Sequence, residues 1–351
     1  MGEFIIESIQ IINPLTYRNW NKIILKHKDY SFFHSKEWAM VIIDTYNYEP
    51  IYFSIFNEHQ LQSLLPSMIV KSALTGKRLV SLPFSDYLEP IFNSDPQLEE
   101  IKKSIIRYSK ELQLRYIEYR SLKMHFSSDL KNYRADLRHV LPLDRSDNEM
   151  LKSFSENTKR NIKKATKENV IAMVNNSEEG LYLFYDMFCS TRQKHGLPPQ
   201  PLLFFKNIFN HIIKSESGDI IIAMHKNRAI AGAIYFKFGQ KVIYKFGASY
   251  ITFYDLRGNH AVMWFAIKKY LTEGYTEFDF GKTEILNEGL RKFKLGWNTI
   301  ESFIYNTRFD LNLNKYVPVE TKTTGFQNRI FNHTPVWLLK SIGSLLYKHI
   351  G

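Results

Sequence analysis

The stretch FDFGKTEILNEGLRKFKLGWN, residues 278–298, gathers most of the chemistry the chain can offer. Asp279 stands where a strand-like run gives way to Gly281-Lys282-Thr283. A carboxylate at a strand end could take a proton from an attacking ammonium, directly or through water. It could equally cap the amides of the following turn, as short acidic side chains do. Glu284 is a second carboxylate with no stronger claim. The Gly-Lys-Thr triplet is not a phosphate-binding P-loop, because the preceding glycine and its spacing are missing. A short basic helix follows and carries Phe293, Lys294 and Trp297. Lys294 reads either as a working ammonium or as a surface lysine. Phe293 and Trp297, one turn apart, read equally well as core.

A second concentration of charge is SENTKRNIKKATKEN, residues 155–169. On a helix Lys159, Lys163 and Lys167 fall four apart on one face, with Arg160 and Lys164 beside them. Ile162 and Ala165 point elsewhere and can dock the helix. The basic face is either solvated or turned towards an anion. Cys189 lies on an amphipathic helix and reads as a small core residue. The eleven histidines are scattered without metal-ligand spacing, so no metal is expected.

These residues need a scaffold, and the chain is long enough for two cores. It has 351 residues, 44% apolar and 15% aromatic, with a formal net charge of +12. That charge favours an anionic partner such as nucleic acid, a phosphorylated metabolite or an acidic membrane. The single cysteine fits a reducing compartment. The start MGEFIIESIQ lacks the pattern of a signal peptide, and Ile6 stands where a myristoylation motif wants Ser or Thr. No apolar run approaches transmembrane length. A place inside the cell is therefore expected.

The order of elements repeats. PIYFSIF and LQSLLPSMIV read as a hairpin across NEHQ, followed by a strand at GKRLVSLPF, a helix from Asp95-Pro96, and strands at RYIEYRS and LRHVLPL. GDIIIAMHK and RAIAGAIYFKFG read as a hairpin across Asn227. They are followed by QKVIYKFGASY, a helix over NHAVMWFAIKKYLTEG ending at Gly274, and strands at YTEFDFG and TIESFIYNTRF. This predicts domains at 1–150 and 151–315, the second entered through the basic helix. A tail follows at 316–351. In the tail, PVWLLKSIGSLLYKHIG puts Leu338, Leu339, Ile342, Leu345 and Leu346 on one face and Lys340, Ser344 and Lys348 on the other. Such a helix docks on its own domain or lies in a membrane interface.

Several phrases, in this order and spacing, resemble the FemAB-like branch of the GNAT acyltransferases: FFHSKEW, LPFSDYLEP, NTKRNIKKA, STRQKHGLP, KFGASY, GYTEFDFGKTE, LRKFKLGWN and LLKSIGSLLYKHIG. They span residues 32–350. The resemblance implies an α/β (α+β) fold of tandem duplicated GNAT-like domains with mixed central sheets. It implies transfer of an aminoacyl or acyl group to an amine of a cell-envelope precursor, peptidoglycan or polysaccharide, that is nucleotide- or lipid-linked. No cofactor would be permanently bound; aminoacyl-tRNA or acyl-CoA would be the donor. Partners would be the phosphorylated precursor, tRNA, and the inner face of the membrane through 335–350.

The family's Phe-Lys pair matches Phe293-Lys294, and its lysine lies close to the reacting carbonyl and phosphates. An ammonium fixed there stabilises the developing oxyanion, and removing such a donor typically costs about 10² to 10³ in turnover. On this reading Lys294→Ala abolishes transfer with thermal stability nearly intact. Arg160, Lys163 and Lys164 would hold phosphates, with Lys282, Phe293 and Trp297 beside them. His195, Tyr244 and Phe246 would line the groove, unless Tyr244 and Phe246 are same-face strand core. Two departures matter. Where acyl-CoA users have a glycine-rich turn before the long helix, this chain reads LRGNHAVM, with His260 or Ala261 replacing a glycine. The long charged heptad arm of some bridge enzymes is also missing. The first departure tilts the donor away from coenzyme A. An N-acyltransferase using acyl-CoA on an amino sugar, and a non-catalytic RNA- or membrane-binding protein, are the alternative readings.

Overall fold

The computed structural model describes residues 9–129, 131, 133–319 and 331–350. In chain order, β1 is Gln10–Ile12, α1 Trp20–Ile24, α2 Lys36–Tyr46, β2 Glu49–Asn57, β3 Gln60–Ser72, β4 Gly76–Val80, β5 Ile91–Phe92, α3 Asp95–Glu111 and β6 Tyr116–Ser121. Then come β7 Tyr133–Pro142, α4 Asp147–Ser153, α5 Glu156–Lys167, β8 Ile171–Val174, α6 Glu178–Lys194 and α7 Leu202–Ile208. The run continues with β9 Gly218–His225, β10 Arg228–Phe238, β11 Lys241–Ser249, α8 Gly258–Thr272, β12 Glu277–Glu284, α9 Glu288–Leu295, β13 Ile300–Asp310 and β14 Lys315–Val317. A C-terminal helix covers Val336–Ile350.

Two compact units result: Met1–Asp136 with Phe303–Thr321 and Lys348–Gly351, and Leu137–Ser302 with Lys322–Tyr347. The division differs from cuts at 150 and 315 because strand pairing, not sequence order, decides membership. The end of β7 neighbours β12, and β13 from Phe303 onward pairs with β6.

The first unit orders its strands β1-β2-β3-β4-β6-β13. Its hairpin closes at Asn57↔Gln60, with Glu58 and His59 both at positive φ (44° and 69°), the backbone that matches strand twist in a two-residue turn. α3 starts at Asp95 with proline in its first turn and lies on a core that includes Phe53, Leu65, Ile105 and Ile117. It crosses from β4 to the parallel strand β6.

The second unit orders its strands β7-β12-β11-β10-β9-β8. The hairpin β9–β10 closes at His225↔Arg228 with Lys226 and Asn227 at positive φ. Here α8 makes the crossover, from β11 to the parallel strand β12. Each unit thus carries the same motif: antiparallel strands, a helix, and a parallel partner strand. The expected duplication is present.

Sequence periodicity fails at one place on β11. Ile234 pairs with Phe246 but Tyr235 pairs with Tyr244, so Lys245 is an extra residue in the strand. A bulge reverses the alternation beyond it. Tyr244 packs against the core around α8, 5.6 Å from the Tyr235 ring. Phe246 joins Phe188, Phe204 and Phe205 from α6 and α7. The two rings are core on opposite faces, and the same-face reading is corrected.

The C-terminal helix also buries a different line from the one its pattern suggested. Leu339 and Gly343 are buried, whereas Leu345 is 63% exposed. A methyl group on Gly343 would fall 2.0 Å from the Pro199 carbonyl oxygen, so glycine permits the approach. Tyr347 donates to Pro198 O and accepts from Arg192, which seats the helix on the loop after α6. No helix among the described residues is long and apolar enough to cross a membrane.

Candidate functional site

Strands β11 and β12 pair only from Lys241↔Glu277 to Ile243↔Asp279. Beyond that they part, although both continue. β12 runs on through Gly281 to Glu284, where a turn was expected, and Gly281 takes φ 70° within the strand. Glycine adopts that backbone with no Cβ penalty.

Alternation along β12 buries Phe278 and Phe280 in the core and puts Glu277 and Asp279 on the other face. Asp279 is 2% exposed. Its Oδ1 accepts the Gly281 amide at 2.7 Å and its Oδ2 accepts Arg138 Nε at 2.7 Å. Arg138 Nη2 donates to Glu277 Oε1 at 2.7 Å. Of the two readings of Asp279, the cap is the one this geometry matches.

Asn287 caps α9 by accepting the Leu290 amide, and the helix lies back over β12. Lys294 is 2% exposed, so it is not a surface lysine. Its ammonium donates to Gly281 O at 2.8 Å and Lys282 O at 3.0 Å. A buried cation needs such acceptors, since desolvation otherwise costs more than the chain can offset. The carbonyls it uses lie just past the point where β12 leaves β11. Lys282 contributes its backbone here, and its side chain is half-buried.

Phe293 and Trp297 enclose His260 from α8. The rings of His260 and Trp297 stack at 5.8 Å, and Phe293 meets His260 edge-on at 5.3 Å. Asn161 Nδ2 donates to His260 Nε2 at 3.3 Å, so that nitrogen carries the lone pair. Burial holds the imidazole to a pKa of about 4. Beside this stack is a cavity of about 140 Å³ at the start of α8, lined by Ser249, Tyr254, Arg257, Asn259, His260 and Phe293 among others. Gly258 packs so tightly on β10 that a methyl group there would meet Ala231 Cβ at 2.9 Å. The glycine of LRGNHA is thus required by packing.

The other predicted residues distribute as follows. α5 docks through Ile162 and Ala165, as expected, against α8. Arg160 and Lys163 are exposed and Lys164 is half-buried. His195 lies exposed at the end of α6 and does not line the cavity. Cys189 is buried core, its thiol pushed up to about 11 by burial. Among the described residues no group of His, Cys, Asp and Glu is arranged to hold a metal ion.

Sequence reasoning missed Asn161, Arg138, His139, Arg291 and Glu301. His139 is fully buried and its Nε2 lies 3.0 Å from Glu301 Oε2. Burial, then the nearby Lys294 charge, hold its pKa below the ordinary histidine value. Nothing in LRHVLPL marks it, because a strand histidine carries no spacing signal of its own.

The family model described as an acetyltransferase (GNAT) domain matches residues 152–294. This stretch is similar to a GNAT acetyltransferase domain. It contains the parallel pair β11–β12, α8, and α9 as far as Lys294. No curated protein matches the chain by sequence. Among solved structures, FemX is 16% identical, with 85% of this chain and 96% of FemX covered at a TM-score of 0.66. The C-terminal domain of a putative lysylphosphatidylglycerol synthetase from Agrobacterium fabrum is 11% identical, with 81% and 91% covered at 0.51. A tandem GNAT protein from the clavulanic acid biosynthesis pathway is 7% identical, with 89% and 99% covered at 0.50. At these identities the likeness is one of fold. It extends beyond the GNAT domain over most of the chain, in keeping with the two repeated motifs.

Proposed function

We propose that the protein transfers an aminoacyl group from aminoacyl-tRNA to an amine of a nucleotide- or lipid-linked cell-envelope precursor. The observation that carries this reading is Lys294: a buried ammonium bonded to the β12 carbonyls just past the last β11–β12 pair, within the stretch similar to an acetyltransferase domain. The fold likeness to FemX and to a lysylphosphatidylglycerol synthetase domain supports an aminoacyl donor.

The amine attacks the ester carbonyl, the new C–N bond forms, and the C–O bond to the ribose breaks. The proton shed by the amine passes to the leaving oxygen or to water. Lys294 exchanges one of its carbonyl partners for the oxyanion as charge develops, which places its effect in the transition state. Arg160 and Lys163 on α5 offer exposed positive charge to donor or acceptor phosphates. Asp279 holds β12 in shape and takes no proton.

A second reading keeps acyl-CoA as donor. The cavity at the start of α8, with Arg257 on its wall, favours it, because helix N-termini bind phosphates. His260 fills part of that space, which favours the first. The deciding experiment offers the purified full chain a panel of charged tRNAs and acyl-CoAs with nucleotide-linked muropeptide, lipid-linked muropeptide and amino sugars. Mass spectrometry reads the added mass. Amino-acid mass gained only with charged tRNA is expected, and it should vanish with Lys294→Met. Acyl mass gained from acyl-CoA alone overturns the first reading.

A further inference from the structure

Glu301 joins three elements of the second unit. Its Oε2 accepts from His139 on β7 at 3.0 Å and from Arg291 Nε on α9 at 2.7 Å. Its Oε1 accepts from Arg291 Nη2 at 2.7 Å. Glu301 itself stands at the start of β13. Lys294 follows Arg291 by three residues, so both side chains leave a similar side of α9.

α9 is only eight residues long and cannot hold itself in place. Its position must come from contacts such as this clamp. The Arg291 end of the clamp is 43% exposed, while the His139 side chain is completely buried. Because His139 Nε2 faces a carboxylate, it carries the proton, and Nδ1 is left as a lone pair. Nδ1 is buried and has no hydrogen-bond partner among the described residues. A buried nitrogen left unsatisfied in this way demands a reason. The reason offered by the geometry is the work of the other nitrogen on Glu301.

The charged groups facing His139 are Lys294 and Arg291 from α9 and Glu301 from β13. Arg138, its neighbour on β7, points to the opposite face with Glu277 and Asp279. We propose that His139 is a positioning residue for Lys294: as a neutral donor to Glu301 it anchors α9. Its protonation sets a second buried positive charge beside Lys294 and Arg291 and gives Nδ1 a proton that meets no acceptor among the described residues, a cost that works against the seated position of α9 even though the bond to Glu301 itself gains charge. This rests on the reading of Lys294 as the working ammonium.

His139→Gln keeps an N–H donor for Glu301 but cannot titrate, and His139→Ala removes the donor. The measurements are hydrogen-exchange protection of residues 288–295, corrected for intrinsic rates, and kcat and KM for the charged-tRNA panel, across roughly pH 5 to 8. In the unaltered protein, protection and kcat are expected to fall together on the acid side, with KM unmoved. The Gln variant should keep both at low pH. The Ala variant should lose about 10-fold to 100-fold in kcat at neutral pH, the scale of a small misplacement of a catalytic group. An Ala variant with full kcat and protection overturns the proposal. So does a Gln variant that retains the acid limb, an outcome readable even where Ala fails to fold. If Lys294→Met leaves transfer intact, the reading of Lys294 fails instead, whatever the His139 variants do to α9.

Discussion

Asp279 and Lys294 hold the two ends of one residue. The carboxylate accepts the Gly281 N–H at 2.7 Å, and the ammonium donates to the Gly281 carbonyl at 2.8 Å. Gly281 sits at φ 70° between them. Two residues that the sequence offers as a base or turn cap and as an oxyanion-stabilising ammonium therefore share a structural task, and substitutions separate what each adds to it.

Lys294→Met keeps the volume and removes the charge. Turnover in the panel assay should fall by about 10² to 10³. Stability should not stay intact, contrary to what a surface lysine would imply. Two carbonyls lose a charged donor, and urea unfolding should show a loss of about 2 kcal/mol. A variant with full turnover and reduced stability would make Lys294 purely structural.

Asp279→Asn retains an acceptor for the Gly281 amide and leaves Arg138 paired with Glu277. A loss of about 1 kcal/mol is expected, against about 3 kcal/mol for Asp279→Ala, which breaks a buried ion pair outright. Transfer per folded molecule should survive Asp279→Asn. A pH-independent collapse of kcat in that variant would restore the carboxylate as a base.

His260 gives the fold an acid sensitivity with a defined sign. Its folded pKa, about 4, lies below the unfolded value near 6.5, so the unfolded chain takes up the proton first. The stability this histidine supplies is complete above pH ~6.5 and drains away by about pH 4, with a span of about 3 kcal/mol. Melting of His260→Gln across that window should show a flatter acid limb. An unchanged slope would mean that the ring titrates normally.

Much of this architecture is legible in residue order. The hairpins announce themselves at Glu58-His59 and Lys226-Asn227. Ser155 and Ser177 cap α5 and α6 as their types suggest, and Ile162 and Ala165 mark the docked face of α5. The site is less legible. An α9 read by hydropathy turns Lys294 outward, because only its tertiary neighbours, the carbonyls of Gly281 and Lys282, make its burial tolerable. His139 and Glu301 lie far apart in sequence and meet only through folding. The boundary strands β7 and β13 cannot be apportioned between units until their pairing partners are known.

Charge reversal on α5 tests the anion-facing reading. Arg160→Glu and Lys163→Glu lie on an exposed face, so melting should move by less than about 0.5 kcal/mol. Affinity for uncharged-donor tRNA should weaken, and each lost phosphate contact should lower the salt slope by about 1. Binding that ignores both changes would make this a solvated face.

Gly343→Ala tests the seat of the C-terminal helix. The added methyl cannot fit beside Pro199, and overpacking of this kind costs about 1 to 3 kcal/mol. Tryptic cleavage after Lys340 should quicken in the variant. Unchanged cleavage would show that the helix is held elsewhere.

The extra residue at Lys245 has a consequence for how this strand tolerates change. Residues two apart on a regular strand share neighbours, and their substitutions are coupled. The rings of Tyr244 and Phe246 instead pack in different layers, Tyr244 on Tyr235 and Phe246 on Phe188, Phe204 and Phe205. A double-mutant cycle on Tyr244→Leu and Phe246→Leu should therefore return an interaction energy within about 0.5 kcal/mol of zero. The bulge works as a thermodynamic insulator, letting the face towards α8 and the face towards α6 and α7 drift independently while one backbone runs through both.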